Sequence, residues 1–540
     1  SYQYLSTTNL DYGTTGYSTL PFNVTFSSSG DSSSRPASTI TSGSGANTRD
    51  IALTDFNRDG KPDIAVANSD NTVSVFVNQV TSSTAPLTLS PGVTLGTSSG
   101  SASSSIVVGD INGDGLPDIL VTNAVTGLVS IYQNTTLVTG ATPTFVLAGP
   151  FSATANPVDM VMADVDGDGL LDIVTVNKSS NAISVLLNRS TSSTISFASP
   201  QTFATGTSPG ALAIGDFNKD GKVDLAVVNS GSNTVSVFKN ASSIGSVSWV
   251  VSTLATGTNP TSIVIADFDG DAFLDIATTN AGSNNISVFR NNGTTSTLAF
   301  ASKADFSTGV GSAPSNLAVG DIDGDGKPDL LSENGGNNTV SGLYNASTIG
   351  TLSFTINPDV TNGSAIAPSS VAIGDLNGDS KPDFVITVGG TSNNVALFLQ
   401  KSSQTLAIGP ISSSQVGIAI SVTVSSTAGP GLIGSLSYTI VAGSGSATID
   451  AFGNLMPISA GTITLTVFTA GSTDYASARV SKPIVISQGA QSLTLTSAST
   501  TTVGGTLTAT VTNSAGSAGG AITFSITAGS GSATVNPTTG

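Results

Sequence analysis

Apolar residues alternate with polar ones in short runs along most of this chain, and Gly, Asn, Asp and Ser punctuate the runs. The run Thr234-Val-Ser-Val-Phe238 has the period of two that predicts a β-strand. Asp224-Leu-Ala-Val-Val228 is a more continuous apolar run. Between such runs lie Gly-Ser-Asn and Asn-Asn turns, which predict hairpins. A further apolar patch, such as Ile195-Ser-Phe197 with Phe203, precedes each recurrence of the pattern.

The whole unit repeats. The stretch Asp55-Phe-Asn57-Arg-Asp59-Gly60-Lys-Pro-Asp63 returns with its flanks at Asp110, Asp164, Asp216, Asp267, Asp321 and Asp375, at steps of 55, 54, 52, 51, 54 and 54 residues. Each copy predicts four short strands. One such meander cannot bury both of its faces, but copies stacked face to face around an axis can. Seven copies predict an all-β, seven-bladed β-propeller over residues 19–402. The seventh copy runs out near Leu399 without an outer strand, and Leu20-Pro-Phe-Asn-Val-Thr-Phe26 is expected to supply it. Residues 1–18, with Tyr2, Tyr4, Tyr12 and Tyr17, read as an N-terminal arm.

Composition changes near Lys401, beyond which only Asp450 and Asp474 are acidic. Alternating runs such as Ile418–Val424, Ile463–Phe468 and Ile484–Ile486 predict a β-sandwich over residues 403–489. Residues 490–540 read as the incomplete start of a second one: Ala442-Gly-Ser-Gly-Ser-Ala-Thr448 recurs as Ala528–Thr534, and Gln404 matches Gln491. A sandwich cut at Gly540 lacks strands, so the protein is expected either to continue or to receive them from a partner.

The chemistry of the propeller lies in its nine-residue loop, D-x-[DN]-x-D-[GAS]-x-x-D. Positions 1, 3, 5 and 9 offer side-chain oxygens, position 7 a backbone carbonyl, and Gly at position 6 the sharp turn that folds them inward. The candidate metal ligands of the first loop are Asp55, Asn57, Asp59, Lys61 (through its carbonyl) and Asp63. Those of the second are Asp110, Asn112, Asp114, Leu116 and Asp118; of the third, Asp164, Asp166, Asp168, Leu170 and Asp172. The fourth offers Asp216, Asn218, Asp220, Lys222 and Asp224, and the fifth Asp267, Asp269, Asp271, Phe273 and Asp275. The sixth offers Asp321, Asp323, Asp325, Lys327 and Asp329, and the seventh Asp375, Asn377, Asp379, Lys381 and Asp383. An all-oxygen, carboxylate-rich shell selects a hard cation, and five or more flexible oxygens suit Ca²⁺ better than Mg²⁺. Turn preference explains Asp, Asn and Gly in one loop. It does not explain three or four acids in each of seven loops, which repel unless a cation neutralises them. Up to seven Ca²⁺ are therefore expected, one per blade. Ala272 replaces the position-6 Gly in the fifth loop and Ser380 in the seventh, and a Cβ is costly there if φ must be positive. The fifth loop keeps four Asp and is expected to bind; the seventh is expected to bind more weakly.

These segments resemble the FG-GAP/VCBS repeats of integrin-α-type propellers. The stretch Asp216–Phe238, DFNKDGKVDLAVVNSGSNTVSVF, is close to the family pattern, and the likeness covers roughly residues 20–400. The resemblance implies that the loop joins the first and second strands of each blade, with Ca²⁺ at one rim. It also implies a secreted or cell-surface protein that binds other proteins or glycans. The modules after residue 402 resemble the bacterial Ig-like repeats of large surface proteins.

Charge and composition narrow the function. Sixteen Lys+Arg face 34 Asp+Glu, a net charge of −18, which disfavours nucleic acid and anionic membranes. No apolar run is long enough for a transmembrane helix, so no direct membrane insertion is expected. The chain has no Cys and no His, which removes Ser-His-Asp and Cys-His nucleophiles, Cys/His metal sites and disulfides. Of the 34 acids, 24 lie in the seven loops. The remainder, including Asp70, Asp159, Asp305, Asp359 and Glu333 (the single Glu), read as scattered, solvated turn residues, so no enzyme is expected. Ten N-x-[S/T] sequons, Asn134, Asn188, Asn240 and Asn345 among them, match chance for so much Asn, Ser and Thr. Trp249 reads as core before sugar-stacking surface. The expected function is an extracellular, calcium-stabilised adhesion or binding protein of a bacterial surface, a propeller head on an Ig-like stalk, with a protein or glycan ligand. A filament subunit assembled by strand exchange or Ig-like contacts, and a calcium-dependent lectin, are the alternatives.

Overall fold

Each of the first five repeats folds into four antiparallel strands in sequence order, and the sixth adds a short fifth, Val360–Thr361, beside its third. In the fourth these are Pro209–Gly215, Asp224–Asn229, Thr234–Asn240 and Trp249–Ala255. The second strands of the first six repeats, which the sequence makes apolar almost throughout, are buried at every residue, as in Asp63–Asn68, Asp172–Asn177 and Asp224–Asn229. Outer strands such as Gln201–Ala204 and Ala304–Ser307 instead alternate between half-buried and exposed. That gradient is what stacked sheets impose: the inner strands are covered on both faces, and the outer ones face solvent.

The structure is a computed structural model. It describes residues 36–41, 48–81, 88–97, 103–295, 297–322, 325–356, 360–361, 368–379, 381–388, 394–398, 405–411, 414–427, 435–469, 478–488, 493–496 and 510–513. The chain divides into two units, Ser1–Ser403 and Gln404–Gly540. The described residues are all-β, apart from one 3-10 turn at Lys178–Ser180. No helix among them is long and apolar enough to cross a membrane.

In the first unit each first strand lies against the first strand of the next repeat. Pro368–Gly374 of the last repeat lies against Thr48–Thr54 of the first, so the sheets close on themselves in a propeller-like fold. The cores sit between sheets. One joins Val174, Val176, Ile183 and Val185 to Leu212, Ile214, Leu225 and Val227. Another joins Ile51, Leu53, Ile64 and Val66 to Ala372, Val385, Val395 and Leu397 across the closing seam. Trp249 belongs to the first of these cores and meets Phe203 and Phe238 edge-on, with ring centroids 6.4 and 6.0 Å away.

The last sheet corrects one expectation. Its fourth strand is Pro36–Thr41, paired antiparallel with Asn394–Phe398, and not Leu20–Phe26, which lies outside the described residues along with the arm 1–18. The small, polar sequence PASTIT gave no apolar signal. Its pairing fills an edge that would otherwise leave backbone groups open.

In the second unit, Leu436–Ala442, Gly461–Thr469 and Ala478–Ile486 form one three-stranded sheet, and Ile420–Ser421, Asn454–Ser459 and Ser446–Ile449 form another. Leu455 from one sheet and Ile463, Leu465, Val467 and Ile484 from the other share a core with Leu406 and Ile408. Leu493–Thr496 pairs antiparallel with Thr510–Asn513.

A polar belt runs through the first strands, each of which begins with a bulge that offsets its pairing by one residue. Just past the bulge stand Asp50, Ser105, Asp159, Ser262, Asn316 and Ser370, all buried. Asp159 accepts hydrogen bonds from Met160 N and Ser105 Oγ, and from Leu212 N of the following sheet, at 2.9, 3.0 and 3.0 Å. Asp50 likewise accepts from Ile51 N, Ser370 Oγ and Ile106 N, at 2.9, 2.9 and 2.8 Å. Each carboxylate thus spans three consecutive sheets. Burial pushes the Asp159 carboxyl up from its ordinary value.

Glu333 stands cross-strand from Asn316. It is not a solvated turn residue: it is fully buried, and neither carboxyl oxygen has a hydrogen-bond partner. Burial, with a smaller push from Asp50, raises its pKa from 4.5 to about 8. Thr279 and Thr387 hold the equivalent place opposite Ser262 and Ser370. Because the folded pKa lies above the unfolded one, the carboxyl is tolerated at low pH, and stability is lost as pH rises from about 4.5 through about 8. Glu333→Thr is therefore expected to raise the melting temperature at pH 9, by a few kcal/mol in stability, with the gain shrinking toward pH 5. Thermal melts of both proteins across that range check this; a difference independent of pH contradicts it.

Candidate metal centre

Every nine-residue loop joins a first strand to a second strand. In a closed ring of like sheets, this puts all the loops on one rim. Position 2 points inward and anchors the loop. Phe56, Ile111, Val165, Phe217, Phe268, Ile322 and Leu376 are buried, and Phe56, Phe217 and Phe268 meet Phe145, Phe300 and Phe354 of the next sheet edge-on.

With position 2 fixed, the loop folds around its own carboxylates. In the third loop Asp164 Oδ1 accepts Gly167 N and Asp168 N at 2.7 and 3.1 Å, and its Oδ2 accepts Gly169 N at 2.8 Å. Asp166 Oδ1 accepts Asp168 N, and Asp168 Oδ1 accepts Leu170 N. The second and fifth loops repeat this set. The wrap needs a left-handed residue at position 6, where Gly169 has φ 89°. Ala272 takes φ 71° at the same place and still donates to Asp267 Oδ2 at 2.7 Å, so the fifth loop keeps its shape at the cost of strain. Position 4 is left-handed as well, with φ 83° at Gly167, 59° at Arg58 and 56° at Lys219, a requirement the sequence pattern did not disclose. Ser380 and Asp323 lie outside the described residues.

Position 9 does more than offer an oxygen. Asp172 Oδ2 accepts Val165 N at 2.9 Å, and its Oδ1 accepts Asn188 N, at the end of the third-strand run, at 2.8 Å. Asp63, Asp118, Asp224, Asp275 and Asp329 hold the same pair of amides. Burial, partly offset by these amides and reinforced by neighbouring Asp residues, pushes the carboxyl up to about 7 in Asp63, Asp118 and Asp275, and to about 6 in Asp172 and Asp224. Burial also raises Asp267. A cation among these groups would oppose that shift.

In the two fully described loops with Asp at all four positions, the structure brings oxygens from positions 1, 3 and 9 together. Those of Asp164, Asp166 and Asp172, and of Asp267, Asp269 and Asp275, lie within 4.8 Å of one another. The four Asn57-, Asn112-, Asn218- and Asn377-type loops place an amide oxygen where the third carboxylate would be, accepting the position-5 N–H at 2.9–3.2 Å. Position 5 stands outside the two close groups. Its carboxylate faces bases instead: Asp59 with Lys61, Asp168 with Arg189, Asp220 with Lys239 and Asp379 with Lys381, at 3.6, 3.7, 3.8 and 3.2 Å. The donor set is all oxygen and suits a hard cation, with position 5 required to turn from its base toward the centre. The Lys222 side chain reaches away from the loop to the Ser242 carbonyl, and that of Lys327 to the Ser347 carbonyl, which leaves only the main chain of position 7 as a ligand candidate.

The residues that bind the loops to one another were not expected. Asn188 follows its third strand; its Nδ2 donates to the Leu171 carbonyl of its own loop at 2.7 Å and to the Ile111 carbonyl of the preceding loop at 2.8 Å. Its Oδ1 accepts Ser190 N. Asn134, Asn240, Asn291 and Asn345 do the same, and Asn78 reaches Leu376 across the closing seam at 2.7 Å. The signal was present as an Asn recurring 15 or 16 residues after the last Asp of each of the first six loops; the seventh has Leu399 in that place. Four of these Asn head sequons, and their buried, doubly bonded amides leave no route for a glycan in the folded protein.

Comparison with known proteins agrees with this repeat. No curated protein matches. Among solved structures, the chain is similar to BBS1N, crystallised in complex with ARL6DN, with 11% identity, 68% of this chain and 95% of that one covered, and a TM-score of 0.45. It is also similar to Chaetomium thermophilum Raptor, with 11% identity, 68% and 28% covered, and a TM-score of 0.45. The FG-GAP-like repeat family matches residues 55–121, 164–227, 216–278 and 275–332, and the FG-GAP repeat family matches residues 367–398. The chain therefore carries FG-GAP repeats between residues 55 and 398.

Proposed function

We propose that the repeats are the blades of a seven-bladed β-propeller whose rim loops hold Ca²⁺, and that this propeller is the binding head of an extracellular adhesion protein. The grouping of Asp164, Asp166 and Asp172, and of Asp267, Asp269 and Asp275, carries the calcium reading. Bound Ca²⁺ would supply charge neutralisation and a cross-link within each loop, and seven ions would bring the net charge from −18 to −4. In this reading the protein binds rather than catalyses. The second unit continues the chain as Ig-like modules, a stalk that displays the head.

Removing calcium tests the first half. Excess EGTA is expected to lower the melting temperature and to open residues 50–400 to protease. Unchanged melting contradicts calcium stabilisation.

Microscopy tests the second half. The adhesin reading predicts separate heads on stalks. Regular filaments with one repeat per subunit would favour the structural-polymer reading, assembly by strand exchange or Ig-like contacts.

A further inference from the structure

Position 3 of the loop faces two ways. In the third loop Asp166 Oδ1 accepts the N–H of Asp168 at 3.2 Å, while its Oδ2 accepts the N–H of Gly245, in the next sheet, at 2.7 Å. The fifth loop repeats this: Asp269 Oδ1 accepts from Asp271 N at 3.1 Å, and Oδ2 from Gly350 N, again in the next sheet, at 2.8 Å. Both glycines hold the same place in like turns, Ser243–Ser246 and Thr348–Thr351, with φ 78° and 83°. These turns connect the third and fourth strands of their sheets.

The second loop inverts the polarity on both sides. Position 3 is Asn112, whose Oδ1 still accepts the position-5 N–H at 3.2 Å. Its Nδ2 donates to Asp114 Oδ2 of its own loop at 2.9 Å and to the Ser192 carbonyl, in the turn Thr191–Thr194 of the next sheet, at 3.3 Å. In these three loops Asp stands where the neighbouring turn presents an N–H, and Asn112 where it presents a C=O; Asn218 Nδ2 instead donates to Asp220 of its own loop, and Asn57 meets the Gly140 N–H through its main-chain carbonyl. As ligands for a hard cation, the two residues offer the same kind of oxygen. The turn across the seam distinguishes them.

We propose that in the second, third and fifth loops position 3 is a positioning residue that couples a cation in one loop to the outer turn of the following blade, with Asp or Asn matched to that turn. The proposal rests on the reading of the loops as calcium sites. A side chain with one pole fixed by a cation presents its other pole in a single orientation, so the neighbouring turn gains a fixed partner. For Asp the bond is charge-assisted and strong. Each ion thereby orders two blades, its own through positions 1, 5 and 9 and the next through position 3.

Asp166→Asn tests this. The variant keeps an oxygen for the cation. Whichever way the amide turns, however, it sets an NH₂ against either the Gly245 N–H or the loop. Hydrogen exchange of the wild-type chain and the variant is followed in saturating Ca²⁺ and in excess chelator, alongside a calcium titration of each. In the wild type, Ca²⁺ is expected to slow exchange at Ser243–Ser246 about tenfold. In the variant this slowing is lost at the turn but kept at Gly167–Gly169 of its own loop. The reciprocal Asn112→Asp is expected to lose it at Thr191–Thr194. Full slowing at Ser243–Ser246 in Asp166→Asn overturns the proposal, as does a wild-type turn indifferent to Ca²⁺ while the titration records bound ions. A titration that records no bound ion overturns the calcium reading and the proposal together.

Discussion

The first unit depends on one buried side-chain amide in each of its first six repeats. An FG-GAP loop ends its own chemistry with two main-chain carbonyls turned inward, at positions 2 and 8. The Asn188 type of residue answers both, one in its own sheet and one in the sheet before. Leaving such a carbonyl buried and unpaired costs about 1–3 kcal/mol, so a sheet in isolation carries an unmet demand that only its neighbour satisfies. The Asn78–Leu376 bond gives the ring the same answer at its closure as elsewhere.

This constraint organises the rim. Position 9 holds the amide of that same Asn, position 2 packs aromatic or aliphatic groups against the next sheet, and positions 1, 3 and 9 are left facing one another. The grouped carboxylates and the inter-sheet packing are therefore built from interleaved residues of a single nine-residue segment. The raised pKa values of the position-9 carboxyls follow from that economy: a group placed to cap buried amides is itself buried among acids. The belt of Asp50 and Asp159 applies the same device nearer the axis, spreading each carboxylate over three sheets. Glu333 is the exception, a buried acid that no donor meets.

Much of this was legible in the sequence. The period of two, the recurrence of the loop and the turns between runs predicted all-β sheets of four strands, and the cost of a Cβ at position 6 was foreseen for Ala272. What escaped were features whose cause is non-local. Asn188 and its equivalents look like turn formers until the preceding loop is beside them. Glu333 and Asp159 look like solvated acids until the sheets stack. Pro36–Thr41 is too polar to signal a strand and becomes one because an edge awaits it. The choice of Asp166 over Asn112 at position 3 is invisible without the turn across the seam.

The central claim is that the rim acids exist to hold cations. Equilibrium dialysis near neutral pH, counting Ca²⁺ per chain, tests it most directly. The account predicts several tightly bound ions, up to seven, with one lost when Asp164 and Asp168 are both replaced by Ala. No Ca²⁺ bound at millimolar concentration, or a count unchanged by that double replacement, would contradict it.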